Sequence, residues 1–214
     1  MENRNELMSF YSIKSWREEM YRVQGIIFDM DGTLVELPVD WREVIRRVNE
    51  LLGVRVEMLL ELFPKLWGTE KYGIVSRIIE DFEMASLSNL KILDDSPKLL
   101  RRLSSKYQLG LVTFQSANVA RKVIEKMDVN LQLIATRDDS PTRAEQISMI
   151  VSASHLGFED FLVVGDMLND VYSALQVGCH AVLVNRYGRY DFGGVEKGFE
   201  VIRNLKELCG ILQF

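Results

Sequence analysis

The amino-acid sequence predicts an α/β fold, a doubly wound (Rossmann-like) parallel sheet with an all-helical insert after its first strand. From about residue 94 onward, strand patterns alternate with helix patterns, as in doubly wound sheets. Strand runs such as "FLVV" and "AVLV" are continuously apolar, which is typical of parallel strands covered on both faces. Between the first strand and residue 94, by contrast, the patterns are only helical.

The first strand is "VQGIIFDM", residues 23–30, and the helical insert follows it at residues 36–92. Apolar residues recur in the insert at the 3.6-residue spacing of amphipathic helices. Asp40 and Glu43 resemble a capping box, Gly53 suits a C-terminal cap, and Pro64 interrupts or kinks the second helix. No strand is predicted within the insert. The three helical stretches are "VDWREVIRRVNELLG", "VEMLLELFPKLWG" and "YGIVSRIIEDF".

The alternating part gives the remaining elements of the sheet domain. We expect Ser96 to cap the first helix of this part, with Pro97 in its first turn, and the helix that begins near residue 143 to end at Gly157. The predicted strands are "YQLGLVTF", "LQLIAT", "DFLVVGD", "HAVLVN" and "FEVI". The predicted organisation is an N-terminal extension (1–19), a sheet domain (20–35 and 93–214) and the insert (36–92). The extension is either a short amphipathic helix or a disordered leader.

Composition narrows the class of protein. The chain has 214 residues, 47% of them hydrophobic, and a net charge of −5 with both signs intermixed. No basic stripe favours a nucleic-acid partner, and no apolar run reaches the roughly 18 residues of a membrane span. The two cysteines lack metal-type spacing, which favours a reducing, cytoplasmic location. The oligomeric state is not set by the sequence.

Carboxylates follow two of the predicted strands. Asp29 and Asp31 end the first strand, and Asp166 and Asp170 lie in "GDMLND" after "FLVV". Ligands of open parallel sheets bind at the carboxyl ends of the strands, so we expect these four side chains on one rim. Their mutual repulsion calls for a cation, and a set of oxygen ligands without His or Cys indicates Mg²⁺.

Other polar residues are predicted at the same rim. Thr113 and Ser116 follow "LGLV", Arg137 and Arg143 lie in the loop "TRDDSPTR", and Asn169 belongs to "GDMLND". We expect these side chains to lie near the four carboxylates.

The order of these motifs resembles that of the haloacid dehalogenase (HAD) superfamily. "DMDGT", Thr113 at the end of an apolar strand, a basic residue before the next helix, and "GDMLND" about 135 residues after the first motif occur in the family's order. The resemblance spans residues 23 to about 205. It implies that the insert is the small helical cap of subfamily I, in which the cap follows the first strand.

The resemblance also implies roles for the carboxylates. Asp29 resembles the nucleophile that forms an aspartyl-phosphate, and Asp31 resembles the general acid and base, whose backbone carbonyl also binds Mg²⁺. Asp166 would complete the protein ligands of the metal, and Asp170 would support the metal directly or through water. Family members that displace halide lack an aspartate at the position of Asp31, so its presence favours phosphoryl transfer over dehalogenation.

Phosphate binding is less fully matched. The resemblance assigns phosphoryl oxygens to Thr113, to Arg143 and to the backbone at Gly32, where glycine allows a close approach. Arg143 stands where the family usually has Lys, so Arg137 is a competing candidate. Phe114 follows Thr113 where the family often has Asn.

The leading interpretation is a Mg²⁺-dependent phosphatase acting on a small phosphorylated metabolite, with phosphoglycolate and sugar phosphates as natural candidates. One alternative is a phosphosugar mutase, which would return the phosphoryl group from the same nucleophile to a sugar. Another is a non-enzymatic phosphoacceptor or binding protein built on the same scaffold.

Overall fold

A six-stranded parallel sheet forms the centre of the molecule. The structure is a computed structural model that describes residues 22–53, 55–193 and 198–212. The order of the strands across the sheet is β5-β4-β1-β6-β7-β8, which confirms the predicted doubly wound sheet. The predicted N-terminal extension lies outside the described residues. The strands of this sheet are β1 (Gly25–Asp29), β4 (Gln108–Val112), β5 (Leu133–Ala135), β6 (Phe161–Gly165), β7 (His180–Val184) and β8 (Glu200–Ile202).

The helices follow the predicted alternation. Three of them, α1 (Trp41–Leu52), α2 (Leu59–Leu66) and α3 (Glu70–Ser86), lie in the helical insert. The others connect or follow the strands of the sheet. They are α4 (Ser96–Leu103), α5 (Ala117–Met127), α6 (Arg143–Ala153), α7 (Leu168–Val177) and α8 (Leu208–Ile211), with 3₁₀ turns at Leu87–Asn89, Phe158–Asp160 and Leu205–Glu207.

Successive residues of β1 pack on opposite faces of the sheet. Ile26 and Phe28 belong to a buried cluster with α4, α5 and α8, whereas Ile27 belongs to a second cluster with α6 and α7. All five residues of β1 are buried. The continuously apolar strands therefore reflect a sheet covered on both faces, as expected for parallel strands.

The helical insert has a hydrophobic cluster of its own. Val44, Phe63, Val75 and Ile79 are buried in it, and Phe114 from the sheet domain packs against it. The predicted caps of α1 are present, since Asp40 accepts a hydrogen bond from the Glu43 N–H at 3.2 Å and Gly53 adopts a left-handed conformation.

The prediction that the insert contains no strand is wrong at the two ends of the insert. A small antiparallel ribbon joins β2 (Val35–Glu36) to β3 (Lys91–Ile92), so the chain enters and leaves the insert through paired backbone. Two-residue strands carry no periodic pattern, which is why the sequence does not show them.

Two helix ends also differ from the prediction. Ser96 is the first residue of α4 rather than its cap, and its hydroxyl donates to the Leu34 carbonyl at 2.7 Å. The cap position belongs to Asp95, in a left-handed conformation. Helix α6 ends at Ala153 instead of Gly157, because Ser154 already has an extended backbone.

Candidate active site

Strand β1 delivers the first two carboxylates to the end of the sheet. Its neighbours β4 and β6 end beside it, with Asp29 in register with Val112 and Phe28 in register with Val164. The chain order reverses between β1 and β6, and ligands of doubly wound sheets bind at such a switch point. Thr113 follows β4 directly and Asp166 follows β6, so both reach the same edge as Asp29.

The Asp29 carboxylate is buried and held by two donors. Arg143 Nη2 donates to its Oδ1 at 2.8 Å, and Thr33 Oγ1 donates to its Oδ2 at 3.1 Å. Burial raises the pKa of Asp29 well above its ordinary value, nearby Asp170 raises it further, and Arg143 opposes both effects. Arg143 therefore does not fully offset the cost of burying an ionised Asp29 beside Asp170, and a further cation would stabilise the ionised carboxylate.

Asp29, Asp166 and Asp170 form a cluster of carboxylates. One oxygen from each lies within 4.8 Å of the others. Asp170 Oδ2 accepts from the Met167 N–H at 3.0 Å, while its Oδ1 is buried and has no hydrogen-bond partner. Burial and the proximity of Asp170 raise the pKa of Asp166 to about 6. A hard divalent cation suits such a set of oxygen atoms.

Asp31 is separate from this cluster. Its carboxylate accepts a hydrogen bond from the Leu37 N–H at 2.8 Å, at the start of the helical insert. Burial raises the pKa of Asp31 to about 7, although the Leu37 N–H opposes the rise. The two aspartates of the first motif thus have different partners, and the predicted rim of four carboxylates consists of three clustered side chains with Asp31 beside them.

Gly32 is required by close packing at the turn. Its φ of +89° is unfavourable for other residues, and a Cβ at this position would lie 2.5 Å from Asp166 Oδ2. Its N–H already donates to the Val35 carbonyl at 2.7 Å. Contrary to our expectation, this amide is therefore not free to donate to a phosphate. The glycine instead lets the Asp166 carboxylate approach the first motif.

Arg143 is the cation at the centre of the site. Besides contacting Asp29, its Nε lies 2.8 Å from Asp170 Oδ1 as an ion pair without hydrogen-bond geometry. Its Nη1 donates to Gln146 Oε1 at 2.8 Å, and its guanidinium lies over the Phe114 ring at 4.5 Å. Phe114, at the position where Asn is common in the resembled family, therefore stacks on the arginine.

Arg137, the competing candidate, lies away from the cavity at the site. It is fully buried and forms an ion pair with Glu83 of α3, with Nη1 2.7 Å from Oε1. It also donates to Ser76 Oγ at 3.0 Å and to the Phe114 carbonyl at 2.7 Å. Burial raises the pKa of Glu83, and the Arg137 guanidinium opposes this rise. Arg137 links the insert to the sheet domain.

The remaining predicted residues differ in position. Thr113 is buried, and its hydroxyl donates to Gln115 Oε1 and accepts from the Gln115 N–H at 3.2 Å. Ser116 caps α5 through a hydrogen bond from the Val119 N–H, and Asn169 is exposed on α7. Thr113, Ser116 and Asn169 are not among the residues that line the cavity.

A cavity of about 560 Å³ lies between the strand ends and the insert. Its floor includes Asp29, Asp31, Arg143 and Asp166, and helices α1 and α2 line its opposite wall. Sequence reasoning missed Gln115, Tyr187 and Arg189, which also line it. The last two lie in the loop after β7, so extending the strand-end rule to that strand would have found them.

These features define a class of protein, a doubly wound α/β fold with a carboxylate cluster at its switch point. Residues 26–184 match the model of the haloacid dehalogenase-like hydrolase family, and the chain belongs to that family. Within residues 22–53, 55–193 and 198–212, no helix combines the length and apolar character needed to cross a bilayer.

Individual relatives are more distant. The chain is 26% identical over 205 residues to a 5'-nucleotidase of Pseudomonas aeruginosa, covering 85% of this chain and 89% of the relative. It is 24% identical over 231 residues to a phosphoglycolate phosphatase of Salmonella typhi, covering 83% and 86%. The crystal structure of a HAD phosphatase from Thermococcus onnurineus superposes with a TM-score of 0.65 at 23% identity, covering 89% of this chain and 98% of that one. At this identity the superposition shows a shared fold.

Proposed function

We propose that the chain is a Mg²⁺-dependent phosphatase that hydrolyses a small phosphorylated metabolite through an aspartyl-phosphate on Asp29. The observation that carries the proposal is the different environment of the two aspartates. Asp29 contacts Arg143 within the carboxylate cluster, whereas Asp31 lies outside it with a carboxyl pKa near 7. A nucleophile and a separate proton donor are what phosphoester cleavage needs.

The first step forms the covalent intermediate. An Asp29 carboxylate oxygen attacks phosphorus, the bond from phosphorus to the ester oxygen breaks, and Asp31 donates its proton to the departing alkoxide. In the second step Asp31 accepts a proton from water as that water attacks the same phosphorus. Inorganic phosphate leaves, and the Asp29 carboxylate and protonated Asp31 are restored.

The carboxylate cluster fits a magnesium ion by its donor chemistry. Asp29, Asp166 and Asp170 supply only oxygen atoms, and one oxygen from each lies within 4.8 Å of the others. Mg²⁺ held there would supply charge stabilisation to the phosphoryl group during transfer. A backbone carbonyl from Asp31 would complete the protein ligands.

Arg143 is the proposed phosphate-binding residue. It lines the cavity and already contacts the nucleophile, so it lies where phosphoryl oxygens bind during attack. Gln146 orients it by accepting from Nη1 and donating to the Thr113 carbonyl at 3.1 Å. Thr113 stays a proposed phosphate-binding residue, but its hydroxyl would have to exchange Gln115 for a phosphoryl oxygen.

Residues 36–92 are proposed to act as a cap over the cavity. Closure would exclude bulk water from the aspartyl-phosphate until the leaving group departs. The names of the curated relatives, a 5'-nucleotidase and a phosphoglycolate phosphatase, support a phosphomonoester substrate. We also retain the prediction of a cytoplasmic location.

Phosphate release tests this function. With p-nitrophenyl phosphate we expect hydrolysis that requires Mg²⁺, stops on chelation with EDTA and is lost in Asp29→Asn. A mutase would give isomeric sugar phosphates without net release of inorganic phosphate. Binding of phosphorylated compounds without turnover would indicate the non-enzymatic alternative and contradict the proposal.

A further inference from the structure

The side chains on the cavity wall opposite the carboxylates indicate which kind of leaving group fits the site. Resting on the phosphatase function proposed above, we propose that the preferred substrate is a phosphomonoester of an uncharged, apolar alcohol, with an aromatic ring as the best fit. The phosphate would lie at Asp29 and Arg143, and the rest of the molecule would face helices α1 and α2.

Apolar side chains form the wall that the insert contributes. Trp41 and Met58 keep 37% and 49% of their surfaces exposed, although both are large and apolar. Single exposed apolar side chains are common on protein surfaces, but these two line the same cavity, and an apolar lining is typical of ligand-binding pockets. The same wall contains Ile45, Leu59, Leu60 and Phe63.

The charges around the cavity disfavour an anionic leaving group. Among the residues that the structure describes, Arg143 and Arg189 are the cations that line it. Arg143 is paired with Asp29 and Asp170, and Arg189 Nη1 lies 3.4 Å from Asp166 Oδ2. A second anionic group on the substrate would therefore lose hydration without gaining a free cation.

Glu36 adds to this discrimination. It lines the cavity at the entrance to the insert, and its carboxylate is paired with Lys91 at 3.2 Å. A carboxylated leaving group such as glycolate would meet this negative charge beside an apolar wall. The Glu36 side chain keeps 39% of its surface exposed, so solvent and Lys91 screen this repulsion and its contribution is small.

Few uncharged hydrogen-bonding side chains are available for a hydroxyl-rich leaving group. Among the described residues these are Gln115, Tyr187 and the indole N–H of Trp41, and the Gln115 amide oxygen already accepts from Thr113. Sugar hydroxyls against Ile45 and Leu60 would remain unpaired, at a cost in free energy. The volume of about 560 Å³ leaves room for a ring beyond the phosphate.

The test compares benzyl phosphate, glycerol 1-phosphate and phosphoglycolate, with Mg²⁺ and the full chain. All three release a primary alcohol, so differences in kcat/KM report mainly on recognition. We expect kcat/KM for benzyl phosphate to exceed that for each of the others at least tenfold. Equal or better turnover of phosphoglycolate or glycerol 1-phosphate would overturn this proposal and leave the phosphatase function standing. If neither the three substrates nor p-nitrophenyl phosphate were hydrolysed, both the substrate preference and the phosphatase function would be overturned.

Two substitutions on α1 provide a matched pair. Trp41→Ala should lower kcat/KM for benzyl phosphate about tenfold and change that for glycerol 1-phosphate little. Leu51→Ala removes a similarly exposed apolar side chain that does not line the cavity, and it should change neither. Equal losses on both substrates in Trp41→Ala would contradict recognition by the apolar wall.

A charge introduced into the wall gives the opposite readout. Leu60→Lys places a cation among the apolar side chains, and it should shift the ratio of kcat/KM towards phosphoglycolate at least tenfold. An unchanged ratio in a folded variant would count against the proposal.

Discussion

At the scale of single residues, Asp29 and Asp31 differ in what surrounds their carboxylates. Asp29 shares a buried cluster with two other carboxylates and is held by Arg143, whereas Asp31 is held by the Leu37 N–H alone among the described hydrogen bonds to its side chain. A single residue separates them in sequence, yet burial raises the pKa of Asp31 to about 7 without a described cation beside it, whereas Arg143 opposes the rise in the pKa of Asp29. The division of roles in the proposed mechanism rests on this difference.

The protonation of Asp31 gives a prediction about pH. Its pKa is raised to about 7, so its protonated fraction falls as pH rises through that value. Attack on an alkyl phosphate needs the proton on Asp31, and kcat/KM for benzyl phosphate should therefore fall above pH 7. p-Nitrophenolate leaves without a proton. The fall in kcat/KM for p-nitrophenyl phosphate, both with rising pH and in Asp31→Asn, should therefore be smaller than the fall for benzyl phosphate. A flat profile for the alkyl substrate up to pH 9 would contradict a general-acid role.

Arg143 gives a second prediction at this scale. Its planar guanidinium contacts Asp29, Asp170 and Gln146 at once, which a lysine ammonium cannot reproduce. Arg143→Lys should lower kcat/KM about tenfold, and Arg143→Ala about 100-fold, through weaker binding of phosphoryl oxygens. Inhibition by inorganic phosphate should weaken in parallel. Unchanged phosphate inhibition in a folded Arg143→Ala variant would remove Arg143 from phosphate binding.

At the scale of elements, helix α3 is tied to the sheet domain by a buried ion pair. Arg137 from the loop after β5 pairs with Glu83, and the Tyr72 hydroxyl donates to the Arg137 carbonyl. Asn118 of α5 donates to Glu80 of the same helix at 2.8 Å. These contacts hold one end of the insert, while α1 and α2 face the cavity.

The ion pair gives a prediction about stability. Glu83→Ala leaves the Arg137 guanidinium buried without a counter-charge, and we expect the free energy of unfolding to fall by about 3–5 kcal/mol. The double variant Glu83→Leu with Arg137→Met leaves no buried charge and should lose less. Urea unfolding measures both. Glu43→Ala, which removes two solvent-accessible ion pairs on α1, with Arg46 and Arg47, is the control and should leave stability nearly unchanged. A Glu83→Ala variant as stable as this control would contradict the link.

At the scale of the whole molecule, the sheet presents its reactive groups to a cavity whose other wall comes from the insert. The sheet and its carboxylates were predictable because apolar runs mark parallel strands and polar residues at their ends meet at one edge. Asp29, Asp166 and Asp170 are brought together by this rule. The role of Arg137 was not predictable, since its partner Glu83 is 54 residues away and no local pattern connects them.

The rest of the cavity depends on tertiary packing. The stacking of Phe114 on Arg143, and of Phe63 on Phe114 at 6.0 Å between ring centres, joins residues from separate elements. Gln115 lies next to a predicted site residue but gave no signal of its own. Such contacts depend on how the insert packs on the sheet. The sequence does not reveal this packing, because the two-residue strands β2 and β3 that join the two parts carry no periodic pattern.

The proposed mechanism requires an aspartyl-phosphate on Asp29, and trapping this intermediate in acid detects it directly. A rapid reaction with benzyl phosphate and Mg²⁺ is quenched in acid, digested and examined by mass spectrometry. We predict that the peptide containing Asp29 gains the mass of one phosphoryl group, that the group maps to Asp29, and that Asp29→Asn shows no gain. Turnover of substrate without label on this peptide, or label on another residue, would contradict the account.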